Sequence, residues 1–171
     1  MSVLVVIDMQ PTGHDAAAHP QTLAACQREI KRAVRHRSFI FFVVYVGAGR
    51  TDARLTRITK GYSRKAFVYK NRDDGSIPLM QAANNLEVSL RGARICGVNA
   101  SCCVEDTVKR LPYDCVLVAD ALGDECGSSP SAETYRRESV RAAIKSMKRN
   151  SNYKRFVLYA NRMIPPRKAW C

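Results

Sequence analysis

The chain has 171 residues, of which 46% are hydrophobic and 25% charged. That is enough to bury a full core, and the composition is not that of a disordered segment. No apolar run approaches the roughly 20 residues of a membrane-spanning helix. Met1-Ser2 leads straight into an apolar run with neither a basic start nor a small-residue cleavage site, so a cytoplasmic chain without a secretory leader is expected.

Residues 2–7 form a short β-branched run that ends at Asp8, and Pro11, Thr12 and Gly13 break it. Over residues 21–34, Leu23, Cys26, Ile30, Ala33 and Val34 share one side while Arg28, Lys31 and Arg32 lie elsewhere, which predicts a helix. Residues 39–46 are continuously apolar, as in a strand covered on both faces. Residues 47–62 are basic and irregular and read as a surface loop. A third strand over 66–69 closes with Lys70, a polar turn spans 71–76, and 77–90 reads as helix with an interruption at Asn84-Asn85. A strand over 93–98, a helix over 103–111 and a strand over 116–119 follow. A long helix covers 131–147, with Ser131 and Glu133 at its start, where acid suits the positive end of the helix dipole. A sixth strand spans 156–159, and a tail over 164–171 carries Pro165-Pro166. Short buried strands alternating with helices predict one domain over residues 1–171. It has a three-layer α/β/α, Rossmann-like architecture with a six-stranded, mainly parallel sheet.

Twenty-eight Lys and Arg against 15 Asp and Glu give a formal charge of +13, which concentrates anions at the surface. The cations are spread over 28–37, 50–72 and 136–155, and no nucleic-acid motif organises them. Solubility in an anionic setting is the plain reading of this charge; a small-molecule substrate, which an anionic group would suit, is the expected partner, and nucleic acid the lesser alternative. Seven cysteines stand at 26, 96, 102, 103, 115, 126 and 171. The odd count and the lack of a CxxC pair fit scattered thiols in a reducing compartment rather than a disulfide or zinc framework.

In open α/β sheets, ligands gather beyond the carboxyl ends of the strands. Asp8, Lys70, the loop 99–103 and Asp120 follow strands one, three, four and five. Cys103 stands where a loop turns into a helix, and a helix N-terminus lowers a thiol pKa. Lys70 would add to that effect, Asp8 could shuttle a proton, and backbone N–H groups could hold an oxyanion. The plain alternative is a small buried Cys103, a solvated Lys70 and a loop-capping Asp8.

Four segments in order resemble the isochorismatase-like cysteine hydrolases, the superfamily of the nicotinamidases and isochorismatases. Leu4-Val5-Val6-Ile7-Asp8-Met9-Gln10 is similar to the family's opening strand, and Phe67-Val68-Tyr69-Lys70 with Asp74-Gly75-Ser76 to its lysine strand and turn. Gly97-Val98-Asn99-Ala100-Ser101-Cys102-Cys103-Val104, with Thr107 one turn on, resembles the nucleophile loop, and Val116-Leu117-Val118-Ala119-Asp120-Ala121 the strand after it. The resemblance implies that Cys103 is the nucleophile, Asp8 the general acid/base and Lys70 the third member of a triad. It also implies a cis peptide between Val98 and Asn99, with the N–H groups of Asn99 and Cys103 as an oxyanion hole. Gln10, His14, Arg50 and Cys102 are further candidates for the substrate wall.

The activity so implied is hydrolysis of an amide-like C–N bond of a small molecule, without cofactor. Vinyl-ether hydrolysis and an inactive basic binding protein on the same fold are the alternatives. A homo-oligomer, dimer or tetramer, is consistent with the family. Nicotinamidases of this family hold a metal at an Asp-x-His pair after strand two plus a further His. Here residues 46–52 read Val-Gly-Ala-Gly-Arg-Thr-Asp, and the only histidines are His14, His19 and His36, so no metal is expected. The aromatic residue often found shortly after Asp-x-Gln is also missing.

Overall fold

A computed structural model describes residues 1–124, 132–149, 155–159 and 162–163. In chain order the elements are β1 (Val3–Ile7), α1 (Asp15–Ala18), α2 (Pro20–Arg35), β2 (Phe39–Tyr45), α3 (Ala53–Thr56), β3 (Lys65–Lys70), α4 (Ser76–Asn85), β4 (Ala93–Gly97), α5 (Glu105–Arg110), β5 (Cys115–Leu122), α6 (Ala132–Arg149), β6 (Arg155–Tyr159) and β7 (Arg162–Met163). Five strands within residues 1–124 form the parallel body of one sheet in the order β3-β2-β1-β4-β5. β6 continues it in parallel and β7 closes it antiparallel. The expected count of six strands is therefore not what the sheet contains, because a two-residue strand such as β7 carries no periodicity to read.

Alternation along the strands sorts their side chains into two cores. Val3, Val5 and Ile7 of β1 join Phe41 and Val43 of β2 on one face, where Leu79 and Ala83 of α4, Val108 of α5 and Ile144 and Met147 of α6 cover them. Leu4 and Val6 point the other way with Ile40, Phe42 and Val44, against Leu23, Cys26 and Ile30 of α2 and Leu55 of α3. Period two in the strands and 3.6 in the helices thus produce three layers, with the sheet buried between helices on both sides.

Two expected elements need correction. Residues 47–62 are not simply a surface loop. The Asp52 side chain accepts a hydrogen bond from the Arg54 N–H and caps α3, which puts Leu55 fully inside, and a 3₁₀ turn follows at Arg57–Thr59. Four residues are too few for a helical period to show, so the cap is the only sequence signal there. Asp120 does not follow β5 but lies within it, since the strand runs on to Leu122. The helix expected over 77–90 is α4, which ends at the Asn84-Asn85 pair. The Ser131 start signal and the 164–171 tail lie outside the described residues.

The chain runs outward from β1 through β2 to β3 and then returns to add β4 on the other side of β1. The reversal between β1 and β4 opens the crevice in which such sheets hold ligands. Gly97 makes the close approach possible at that point. Its φ is +123°, and a Cβ there would lie 2.0 Å from the Ile7 carbonyl oxygen and 2.6 Å from the Ile7 nitrogen. Gly97→Ala is expected to cost at least about 3 kcal/mol, combining a disfavoured φ with a backbone clash. A urea unfolding curve checks it, and a variant as stable as the parent would contradict this account of the β1–β4 seam.

Candidate active site

Three strand ends meet at the carboxyl edge. Asp8 leaves β1 at a φ of 49° and donates its backbone N–H to Val43 O at 2.9 Å, so the turn after β1 stays tied to β2. Lys70 is the last residue of β3, in register with Tyr45. Its Nζ reaches past β2 to Asp8 Oδ2 at 2.7 Å, with both side chains essentially unexposed. The same Nζ donates to the carbonyl of Asp73 at 2.9 Å and stands 5.0 Å from the Tyr45 ring centre. Beyond β4 the Val98–Asn99 peptide is cis, and Ala100–Val104 form one π-helical turn before α5 begins. Cys103 lies in that turn, 3% exposed, near enough to Asp8 and Lys70 for their charges to act on its thiol, and its Sγ donates to Asp73 Oδ1 at 3.6 Å.

The electrostatics differ from the expectation of a thiolate. Burial pushes the Cys103 thiol well above its ordinary value, and the Asp8 carboxylate adds to this, outweighing the opposing Lys70 ammonium. Two features explain why the helix end does not reverse this. Cys103 sits in the π turn and not at the first turn of α5, and α5 opens with Glu105 and Asp106, which offset the positive end of its dipole. Burial and the Asp8 charge thus favour the neutral thiol over the thiolate in the resting site. Burial raises the Asp8 carboxyl too, against the pull of Lys70. Burial works against the Lys70 ammonium, but the charge and hydrogen bond of Asp8 more than offset it and hold Lys70 above its usual range.

The other candidates fall in different places. Gln10 is buried, and its Nε2 donates to the carbonyls of Tyr45 (2.9 Å) and Gly49 (2.7 Å) while its Oε1 accepts from the Tyr45 N–H at 2.7 Å. Both amide protons are spent on backbone, so Gln10 ties the turn after β1 to the end of β2. His14 does reach the crevice. Its Nδ1 lies 3.4 Å from Asn99 Nδ2, and its ring meets Tyr45 edge-on at 6.3 Å. Arg50 is exposed and lines a separate cavity of about 330 Å³ with Val44, Thr51, Phe67 and Tyr69, whose walls include none of Asp8, Lys70 or Cys103. Cys102 is half-buried beside the crevice, its thiol pushed up to about 11 by burial and by the neighbouring Asp73.

Two residues escaped the sequence reading. Asp124 is buried, accepts from the Ser101 N–H (3.2 Å) and hydroxyl (3.0 Å), and also receives the Ser139 hydroxyl. It fixes the π turn to α6, and only the true length of β5 would have revealed it. Asp73 comes within 3.6 Å of the Cys103 Sγ through its Oδ1, and nothing in the polar run 71–76 singles it out.

The stretch in which the resemblance would put a metal does not suit one here. Asp52 is the carboxylate in that region, and the Arg54 side chain grips both its oxygens at 2.6 to 3.2 Å. The hydrogen bonds from Arg54 keep the Asp52 carboxyl below its ordinary range despite partial burial. A guanidinium thus fills the position that a cation would need.

Breaking the Asp8–Lys70 pair tests how firmly the crevice is built. Lys70→Ala leaves Asp8 buried without its counter-charge, and removing one partner of such a pair costs about 3–5 kcal/mol. Denaturant unfolding at neutral pH measures this, and a loss below about 1 kcal/mol, the range of an exposed pair, would refute the buried geometry.

No protein-family model matches the sequence, and no curated protein resembles it at a significant level. Solved structures do resemble it in fold. The MAR1 ribonuclease from Caenorhabditis elegans superposes with a TM-score of 0.70 at 19% identity, over 90% of this chain and 76% of that one. The nicotinamidase SaPncA from Staphylococcus aureus gives 0.66 at 17%, over 86% and 91%. An isochorismatase from Pseudomonas putida gives 0.66 at 19%, over 93% and 87%. The fold of this chain is the three-layer α/β fold of the isochorismatase and nicotinamidase structures.

Proposed function

We propose that the protein is a cysteine hydrolase that cleaves an amide-like C–N bond of a small molecule through a thioester. The observation that carries the reading is the buried Asp8–Lys70 ion pair, 2.7 Å across, beside the buried thiol of Cys103. In this reading the carboxylate of Asp8 takes the thiol proton as Cys103 Sγ attacks the carbonyl carbon, so the thiolate forms only as it is consumed. The N–H groups of Asn99 and Cys103 receive the oxyanion. Collapse breaks the C–N bond, and Asp8 passes its proton to the departing nitrogen. Water, deprotonated by Asp8, then attacks the thioester. The acid leaves, and the proton returns to the sulfur. Lys70 keeps Asp8 oriented and favours its ionised form between proton transfers. His14, near Asn99, lines the substrate side, and an anionic group on the substrate suits the basic chain. No metal step enters this chemistry.

Similarity to the Pseudomonas isochorismatase, together with a carboxyl raised by burial, also supports a second reading. There Asp8 protonates a vinyl ether and the thiol does not attack. A panel of primary amides assayed beside isochorismate separates the two.

Under the first reading Cys103→Ala abolishes turnover. Cys102→Ala still gives an acyl-enzyme detectable by mass spectrometry after mixing with substrate. Equal loss of that adduct in both variants would sink the assignment of the nucleophile. Asp8→Asn lowers kcat by about 10²–10⁴, the usual worth of a positioned acid/base.

The pH profile follows from the direction of the shifts. Asp8 must be ionised to accept the thiol proton, and burial raises its pKa above 3.8. The acid limb of kcat/KM should therefore fall at a pH above the ordinary carboxylate range. Iodoacetamide should modify Cys103 of the free protein more slowly near neutral pH than an ordinary thiol, because burial raises it. Rapid alkylation at pH 6 would contradict the neutral thiol.

A further inference from the structure

The proposed mechanism uses Asp8, Lys70 and Cys103 but leaves Cys102 and Asp73 without a task. Yet the two sulfurs and a carboxylate oxygen of Asp73 all lie within 4.8 Å of one another. We infer that Cys102, Cys103 and Asp73 form a chelating site for a thiophilic divalent cation of the Zn²⁺ class, at which the metal inhibits the enzyme.

The geometry suits that ion. Zinc takes thiolate sulfur at about 2.3 Å and carboxylate oxygen at about 2.0–2.2 Å, so a tetrahedral S–Zn–O edge spans roughly 3.6 Å. Cys103 Sγ and Asp73 Oδ1 stand 3.6 Å apart. Two sulfur ligands select a soft cation over Mg²⁺ or Ca²⁺, which require a shell of oxygens. The ligands are held by neighbours that take no part in binding. The Lys70 ammonium fixes the backbone of Asp73 through its carbonyl, and the Gly75 N–H donates to Thr107 Oγ1 at 2.9 Å, pinning the turn over α5. Asp73 is exposed and Cys102 half-buried, so the site has an entry and room for a fourth, solvent ligand.

Binding replaces two S–H bonds by two metal–sulfur bonds and releases two protons to solvent, with no change in oxidation state. Two thiolates and one carboxylate around a divalent cation leave one negative charge, facing the Lys70 ammonium. With its Cys103 sulfur lone pair committed to the metal, the enzyme has no nucleophile. The binding site stands on the geometry alone, and the inhibition rests on the reading of Cys103 as nucleophile.

The test titrates the reduced, metal-free full chain with Co²⁺ and then displaces it with Zn²⁺. One equivalent of Co²⁺ should give thiolate-to-metal charge-transfer absorption in the near ultraviolet, and Zn²⁺ should abolish it. Cys102→Ser and Asp73→Asn, each shown to be folded by circular dichroism, should both weaken Zn²⁺ binding by at least about tenfold, the loss that even an outer-sphere change can produce at a metal site. No charge-transfer band, or undiminished affinity in either variant, would overturn the site. Amide hydrolysis should fall as the site fills. Hydrolysis that persists with the site full would instead overturn the role of Cys103 while leaving the metal site in place.

Discussion

An ammonium and a carboxylate held 2.7 Å apart with no access to water set the terms for the rest of this structure. Removing both charges from water costs several kcal/mol each, and apolar residues of the same volume would often serve stability as well or better. The pair is tolerable only because the two strand ends arrive at a fixed separation. β2 lies between β1 and β3, and the Lys70 side chain must span it to reach Asp8. What the pair provides is a carboxylate of fixed orientation, buried beside a thiol, and that is the combination the proposed chemistry uses.

The scaffold holds this arrangement with backbone as much as with side chains. Gly97 lets β4 approach β1 at the reversal of strand order, where any side chain would meet the Ile7 backbone. The loop that follows is anchored to the segment after β5, with the Ala100 N–H on the Gly123 carbonyl at 2.8 Å and Ser101 on Asp124. Gln10 does the corresponding work after β1, stitching that turn to Tyr45 and Gly49. Each anchor satisfies polar groups that would otherwise be buried without partners. Together they leave few degrees of freedom to Asp8, Asn99 and Cys103, and preorganisation of this kind is what electrostatic catalysis requires.

The thiol shows how a rule applied to sequence can point the wrong way. A cysteine at a loop-to-helix junction suggests a low pKa, because the helix end presents partial positive charge. Here the π turn moves the sulfur off that end, two acidic residues open the helix, and the enclosure by Asp8 and the core raises the thiol. Local sequence identifies the residue, but its ionisation depends on what the fold packs around it.

The alternation of β-branched runs with amphipathic segments was enough to specify a parallel α/β sheet, because period two and period 3.6 are properties of the local chain. The resemblance of four segments marked Asp8, Lys70 and Cys103, and strand ends are legible since polar residues interrupt apolar runs there. The roles of Gln10, Asp73, Asp124 and Arg54 were not legible. Gln10 and Asp124 are polar residues whose partners lie 15 to 39 positions away in sequence, and Asp73 meets Cys103 across 30. Arg54 is a near neighbour of the Asp52 carboxylate it grips, but only the folded turn shows that it does so. Such contacts follow from strand order and turn geometry, which a one-dimensional pattern does not encode. Sequence thus determined which groups could do chemistry, and tertiary structure decided which of them meet, because distance and desolvation exist only once the chain has folded.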